Sequence, residues 1–82
     1  MGHARPRPKL LASKLLTIRQ ELGLSQAQLV KRRDVQDKIH YTNISKYELD
    51  KNEPPLFILL AYARLAKVSV ESLIDDKLKI TE

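Results

Sequence analysis

The chain has 82 residues, 43% of them hydrophobic, no cysteine and a formal net charge of +5 at pH 7. This length predicts one small domain with a single core, and the lack of cysteine excludes disulfides and thiolate chemistry and fits a reducing cytoplasm. The longest apolar run is too short to cross a membrane, no N-terminal stretch is typical of a signal peptide, and two separated histidines predict no metal site.

The charge is unevenly distributed along the chain. Residues 1–33 contain eight basic residues and one acidic residue, a net charge of +7, whereas residues 34–82 have a net charge of −2. Such asymmetry indicates a surface that faces a polyanion, with nucleic acid as the leading candidate. The alternative is an ordinary solvated basic surface.

Residues 1–8 are predicted to form a flexible basic arm, because Arg5 and Arg7 alternate with prolines that exclude a regular helix. An arm of this kind can follow phosphates or enter a minor groove, or it can be a solvated tail. The domain proper is predicted to cover residues 9–76, followed by a C-terminal tail at residues 77–82 that is left unassigned as a short strand or disordered segment.

The first helix is predicted from about Lys9 to a C-terminal stop at Gly23. Its apolar stripe, at intervals of three and four residues, consists of Leu11, Leu15, Ile18 and Leu22.

The start of the second helix is marked twice. Ser25 and Gln28 form a capping box, and Leu24 and Leu29 occupy the positions of a hydrophobic staple. This helix runs into the basic cluster at residues 31–33, which suits a helix C-terminus and could also contact phosphate.

Residues 34–40 form a polar connector, with Val35 and Ile39 predicted as anchors to the core. The third helix is predicted at about residues 41–49, and its N-cap is left open among His40, Tyr41 and Thr42. A helical wheel gives it an inward face of Ile44, Tyr47 and Glu48. Its outward face consists of Thr42, Ser45, Lys46 and Leu49, with Asn43 on the flank.

The fourth helix, at about residues 55–67, starts with Pro55 in its first turn and is apolar on nearly every side. Such a helix is either central to the core or has a face for a partner, and the candidate homodimer interface is Phe57, Ile58 and Leu60. A last short helix follows the predicted N-cap Ser69 and points Val70, Leu73 and Ile74 inward. Five helices and no strand predict an all-α fold.

Two segments carry a family likeness. Residues 22–29, LGLSQAQL, resemble the LGLSQ-x-x-L signature of the Cro/repressor-type (XRE-like) helix-turn-helix domains, and residues 44–48, ISKYE, resemble the I-S-x-Y-E of their recognition helix. Pro54-Pro55 and the later apolar residues also match, so the likeness covers about residues 9–75. The resemblance implies a compact five-helix, lambda-repressor-like domain whose third helix enters the major groove of DNA.

Position by position, the resemblance implies a role for each part of this element. The residues that would meet base edges are Tyr41, Thr42, Asn43, Ser45 and Lys46. The predicted phosphate contacts are Gln26, which would also brace the recognition helix, and Ser25, Lys31, Arg32, Arg33, Lys51, Arg5 and Arg7. Arg19 and Glu48 match a buried ion pair, in agreement with the inward position of Glu48, where a lone carboxylate would be costly.

The sequence departs from the family pattern in its turn and at the end of the third helix. Between Gln26 and Ile44 the chain is longer than in the compact phage-type motif, so the helix-turn-helix is predicted to have a lengthened turn. Asp50 stands where the family usually has glycine, in a position that favours the left-handed conformation. Leu49 is an apolar residue on the exposed face, where a thymine methyl, a sugar and a partner protein are all open as contacts.

The leading functional hypothesis is sequence-specific binding of double-stranded DNA by a transcriptional regulator, as a homodimer on two half-sites, in the cytoplasm and associated with the nucleoid. The alternative is an antitoxin or adaptor-type module that binds another protein. No enzymatic activity, cofactor, metal, small-molecule ligand or membrane association is predicted.

Overall fold

The computed structural model describes residues 8–32 and 39–80, and within these ranges it contains five helices and no strand. The helices are α1 (Leu11–Glu21), α2 (Gln26–Arg32), α3 (Tyr41–Glu48), α4 (Leu56–Ala66) and α5 (Val70–Ile74). The predicted all-α class is therefore confirmed. Predictions for Arg5, Arg7, Arg33 and Val35 lie outside the described residues.

The core forms where α1 meets α3, α4 and α5. α3 packs against α1 and α2, while α4 and α5 pack against each other and against α1. Leu11, Leu15 and Ile18 are buried as predicted, but Leu22 is 40% exposed. Leu22 is the C-cap of α1, where the chain turns away at Gly23, so the buried stripe ends one turn earlier than predicted.

Three helices end at a residue with a positive φ angle. Gly23 has φ +69° after α1, and Asp50 and Lys67 each have φ +59° after α3 and α4. After α3 the backbone N–H of Lys51 donates to Lys46 and that of Asp50 donates to Tyr47, which is the Schellman arrangement. The left-handed position predicted for Asp50 is confirmed.

The predicted capping box of α2 is also confirmed. The Ser25 hydroxyl accepts a hydrogen bond from Gln28 N at 3.0 Å, and Ser25 N donates to Gln28 Oε1 at 2.8 Å. Leu29 is buried and Leu24 packs against the core at its edge.

The second half of the chain follows the prediction with two corrections. Pro55 is the N-cap of α4 and lies one residue before the helix rather than in its first turn. Ser69 caps α5 through a 3.1 Å bond from Ser72 N, and Leu73 is fully buried. Ile74 was expected to point inward but is 45% exposed, because adjacent helical residues diverge by about 100° and Leu73 takes the inward direction.

The two ends of the described domain are joined by contacts that the sequence did not indicate. Lys14 is only 7% exposed, and its ammonium donates to the carbonyls of Ser72 at 2.7 Å and Asp75 at 2.9 Å. Lys14 is one of the eight basic residues of residues 1–33, but its ammonium caps the C-terminus of α5 instead of facing solvent. Ile80 also packs against the core, so the described part of the tail is attached to the domain.

Candidate functional site

The candidate site is built on α3, whose start the structure assigns to His40. The His40 ring accepts a hydrogen bond from Thr42 N at 3.3 Å through Nδ1, and the same nitrogen lies 3.0 Å from the Thr42 hydroxyl. Tyr41 stacks beside this cap, with its ring centroid 4.4 Å from that of His40. The N-cap that the sequence left open among three residues is therefore the first of them.

The two predicted faces of α3 are confirmed. Ile44 and Tyr47 are buried, and the Glu48 side chain is 4% exposed. On the predicted outward face Thr42 and Lys46 are exposed and Ser45 is half-buried, while Asn43 on the flank is half-buried and Tyr41 is exposed in the first turn. All five residues predicted to meet base edges thus lie together on one helix of eight residues.

A buried ion pair holds the inward face of α3 to α1. The Arg19 guanidinium donates to both carboxylate oxygens of Glu48, from Nε at 2.6 Å and from Nη2 at 3.0 Å. Its Nη1 donates to the Leu24 carbonyl at 2.9 Å. The hydrogen bond to Glu48 raises the pKa of Arg19 although burial acts in the opposite direction. The predicted pair is confirmed.

Gln26 joins this pair from the start of α2. Its Nε2 donates to Glu48 Oε1 at 3.2 Å, so one carboxylate connects α1, α2 and α3. We call Arg19, Gln26 and Glu48 the clamp. The predicted bracing role of Gln26 is confirmed, and its phosphate contact stays a prediction.

Other residues predicted to contact phosphate lie at the ends of α2 and α3. Lys31 and Arg32 are exposed in the last turn of α2, and Lys51 is exposed directly after α3. Ser25 accepts the capping bond described above, so its hydroxyl hydrogen can still be donated outward.

Tyr62 on α4 brings a hydroxyl group beside the clamp. The residue is 1% exposed, and its hydroxyl has no hydrogen-bond partner among the described residues. Burial raises the pKa of Tyr62, and the negative charge of Glu48 raises it further. In the sequence Tyr62 is one residue of an apolar helix, and nothing in its spacing shows which carboxylate it approaches.

The surface of α4 departs from the prediction at one residue. Ile58, part of the predicted homodimer interface, is 1% exposed and belongs to the core, whereas Phe57 and Leu60 lie at the surface. Leu56 is 78% exposed and lines, with Ile74 of α5, a groove of about 490 Å³. We call Leu56, Phe57, Leu60 and Ile74 the apolar face.

Within residues 8–32 and 39–80, His, Asp and Glu side chains form no group that could hold a metal ion. No helix in these ranges has the length and hydrophobicity needed to cross a membrane.

In comparisons with known proteins, no protein-family model matches the chain, and no similar curated protein or solved structure was found.

Proposed function

We propose that this chain is a lambda-repressor-like DNA-binding domain of the Cro/repressor type that recognises specific double-stranded sequences and regulates transcription. The observation that carries the proposal is the clamp. By fixing the inward face of α3 to α1 and α2, it leaves a rigid outward face of short polar and basic side chains. A helix held in this way can enter a major groove without rearrangement.

Affinity in this proposal comes from basic side chains around α3. Lys31 and Arg32 lie on α2, which packs against α3, and Lys51 follows α3 directly. Each phosphate neutralised by such a residue releases counterions, so binding should weaken steeply with salt. Arg5, Arg7 and Arg33 would add to this effect.

Discrimination between sequences comes from the outward face. Lys46 is exposed in the last turn of α3 and suits the acceptors of guanine. Asn43 suits the donor and acceptor of adenine, although its side chain is half-buried. The Thr42 hydroxyl is shared with the His40 cap, so Lys46 is the strongest candidate for base contact.

The test combines salt dependence with site selection. Binding of the full chain to an arbitrary duplex should fall by orders of magnitude between low and physiological salt. Selection from a random duplex pool should then return a consensus sequence. Absence of duplex binding at low salt would reject the proposal and favour the antitoxin or adaptor-type alternative.

Lys46→Ala tests the assignment of bases within the proposal. The variant should lose about tenfold or more in affinity for the selected sequence and much less for random DNA. Lys79→Ala is a matched control, because Lys79 is exposed but lies after α5, away from α2 and α3. Equal loss on both DNAs would reassign Lys46 to phosphate contact.

We further propose that the apolar face joins two copies of the chain into a homodimer. A domain of this size reads few base pairs, and a second copy doubles the site. Leu56 and Leu60 are exposed at 78% and 40%, and burying them against a partner would be favourable. The selected DNA site should be palindromic. Leu56→Asp should lower the molar mass measured by sedimentation equilibrium from that of a dimer to that of a monomer, without unfolding the domain. A monomer at micromolar concentrations with a single, non-palindromic site would reject the dimer.

A further inference from the structure

Leu49 is a large apolar side chain on the otherwise polar outward face of α3. It is 61% exposed and forms the C-cap of the helix. Its backbone N–H donates to the Ser45 carbonyl at 3.0 Å, so the residue keeps its helical position. An exposed leucine is common on protein surfaces and has no meaning alone. Its direction is what distinguishes this one.

Leu49 points from the middle of the outward face. At about 100° per residue its side chain projects about 20° from Thr42 and lies between the directions of Ser45 and Lys46. The clamp residue Glu48 is held inward, which fixes the rotation of the helix. Leu49 therefore extends the exposed face of Thr42 and Lys46 by about one turn, and a ligand that lies along this face over the whole helix meets it.

The surroundings of Leu49 favour an anionic ligand that has an apolar group. Lys46 precedes it by one turn, and Lys51 follows it by two residues, and both are exposed. DNA combines flanking phosphates with one apolar group at the base edges of the major groove, the C5-methyl of thymine. The α3 helix is about 12 Å long, similar to the width of that groove, so both of its ends can reach base edges.

We propose that Leu49 is a specificity-determining residue that recognises a thymine through its C5-methyl group. This inference rests on the proposed DNA-binding function. A leucine side chain has no hydrogen-bonding group, so it distinguishes thymine from the other bases only through this methyl. The contact buries about one methyl against an aliphatic surface, which corresponds to about a fourfold change in affinity.

The experiment removes the C5-methyl group from the DNA and the isopropyl end of the Leu49 side chain from the protein. The full chain is first used to select a duplex site, and each thymine of that site is then replaced, one at a time, by deoxyuridine, which lacks only the C5-methyl. Fluorescence anisotropy at fixed salt should show one position per half-site at which uracil weakens wild-type binding about fourfold. With Leu49→Ala the same replacement should have no effect, and this variant should bind the thymine site as weakly as wild type binds the uracil site.

Two further variants make the result specific. Leu78→Ala removes another exposed leucine, after α5, and should keep the uracil effect. Leu49→Asn keeps the length and branching of the side chain but makes its end polar, and it should lose the effect even if Leu49→Ala folds poorly.

The outcomes separate this inference from the proposed function. If a site is selected but no uracil position depends on Leu49, the methyl contact is wrong and DNA binding stands. If Leu49→Ala changes the molar mass measured by sedimentation equilibrium, and replacing thymine by deoxyuridine still weakens its binding, Leu49 contacts a protein instead of a base. If no duplex is selected, the proposed function fails, and the role of Leu49 fails with it.

Discussion

At the scale of the residue, the Glu48 carboxylate carries the largest single interaction of the candidate site. It accepts three hydrogen bonds, two from Arg19 and one from Gln26, and only 4% of the side chain is exposed. Glu48→Ala leaves the Arg19 guanidinium without its counter-ion in a site where 17% of that side chain is exposed. We expect a loss of about 3 kcal/mol in the free energy of unfolding, measured by urea denaturation.

Glu21→Ala is the matched control for this change. Glu21 is an exposed glutamate at the end of α1, so its removal should alter the free energy of unfolding by less than about 0.5 kcal/mol. An equal effect of the two substitutions would show that the clamp contributes no more to stability than a surface charge.

Tyr62→Phe tests the hydroxyl beside the clamp. Because this hydroxyl is buried and has no partner in the described part of the chain, it is desolvated without a compensating hydrogen bond. Its removal should leave the free energy of unfolding unchanged or raise it by about 1 kcal/mol. The matching observation by circular dichroism is an unchanged or higher Tm. Tyr47→Phe, measured in the same way, is the control for removing a tyrosine hydroxyl from a core residue. A loss of stability in Tyr62→Phe alone would mean that its hydroxyl makes a hydrogen bond in solution.

The sequence predicts the position of Glu48 but not the groups that surround it. The inward position of Glu48 follows from its spacing to Ile44, and its need for a cation follows from that position. The bond from Gln26 and the proximity of Tyr62 do not follow, because they depend on how three helices pack. Local spacing predicts the direction of a side chain from its own helix, but not which distant group it meets.

At the scale of the element, helix ends were predictable where the cap is local in sequence. The start of α2 is set by Ser25 and Gln28, and the end of α1 by Gly23, and both were predicted. The helix α4 ends at Lys67, whose φ is +59°. Its residue type does not predict this left-handed conformation, which glycine usually adopts. The C-terminus of α5 is capped by Lys14, 58 residues before Ser72, and no local pattern contains that information.

Lys14→Met tests this distant cap. The methionine keeps most of the apolar stem but removes the ammonium, which leaves the carbonyls of Ser72 and Asp75 without their donor. We expect a loss of about 2 kcal/mol in the free energy of unfolding. Lys31→Met, at an exposed position of α2, should change it by less than about 0.5 kcal/mol. Similar values for the two variants would place the Lys14 ammonium in solvent.

At the scale of the whole molecule, α1 and the segment after α5 hold each other at two points. Lys14 of α1 caps α5, and Asp76, after α5, accepts hydrogen bonds from Lys9 N at 2.9 Å and Leu10 N at 3.0 Å. Asp76 therefore holds the two residues that lead into α1, a helix whose N-cap residue Leu10 makes no side-chain capping bond.

The hydrogen bonds of Asp76 predict that acid lowers the stability of the domain. Hydrogen bonds from the backbone of Leu10 and then of Lys9 lower the pKa of Asp76 below its ordinary value of 3.8. Folding favours the ionised Asp76 carboxylate, because only the folded state offers it these hydrogen bonds. The contribution of Asp76 to stability is therefore complete above its ordinary pKa, and it is lost as the pH falls through the lower pKa of the folded state. Wild type should therefore have a higher Tm than Asp76→Asn at pH 7 and pH 5, and the difference should shrink below about pH 4. The control Glu21→Gln, at an exposed site, should show no such change. A constant difference between wild type and Asp76→Asn down to pH 2.5 would mean that the Asp76 charge does not contribute to holding the two ends together.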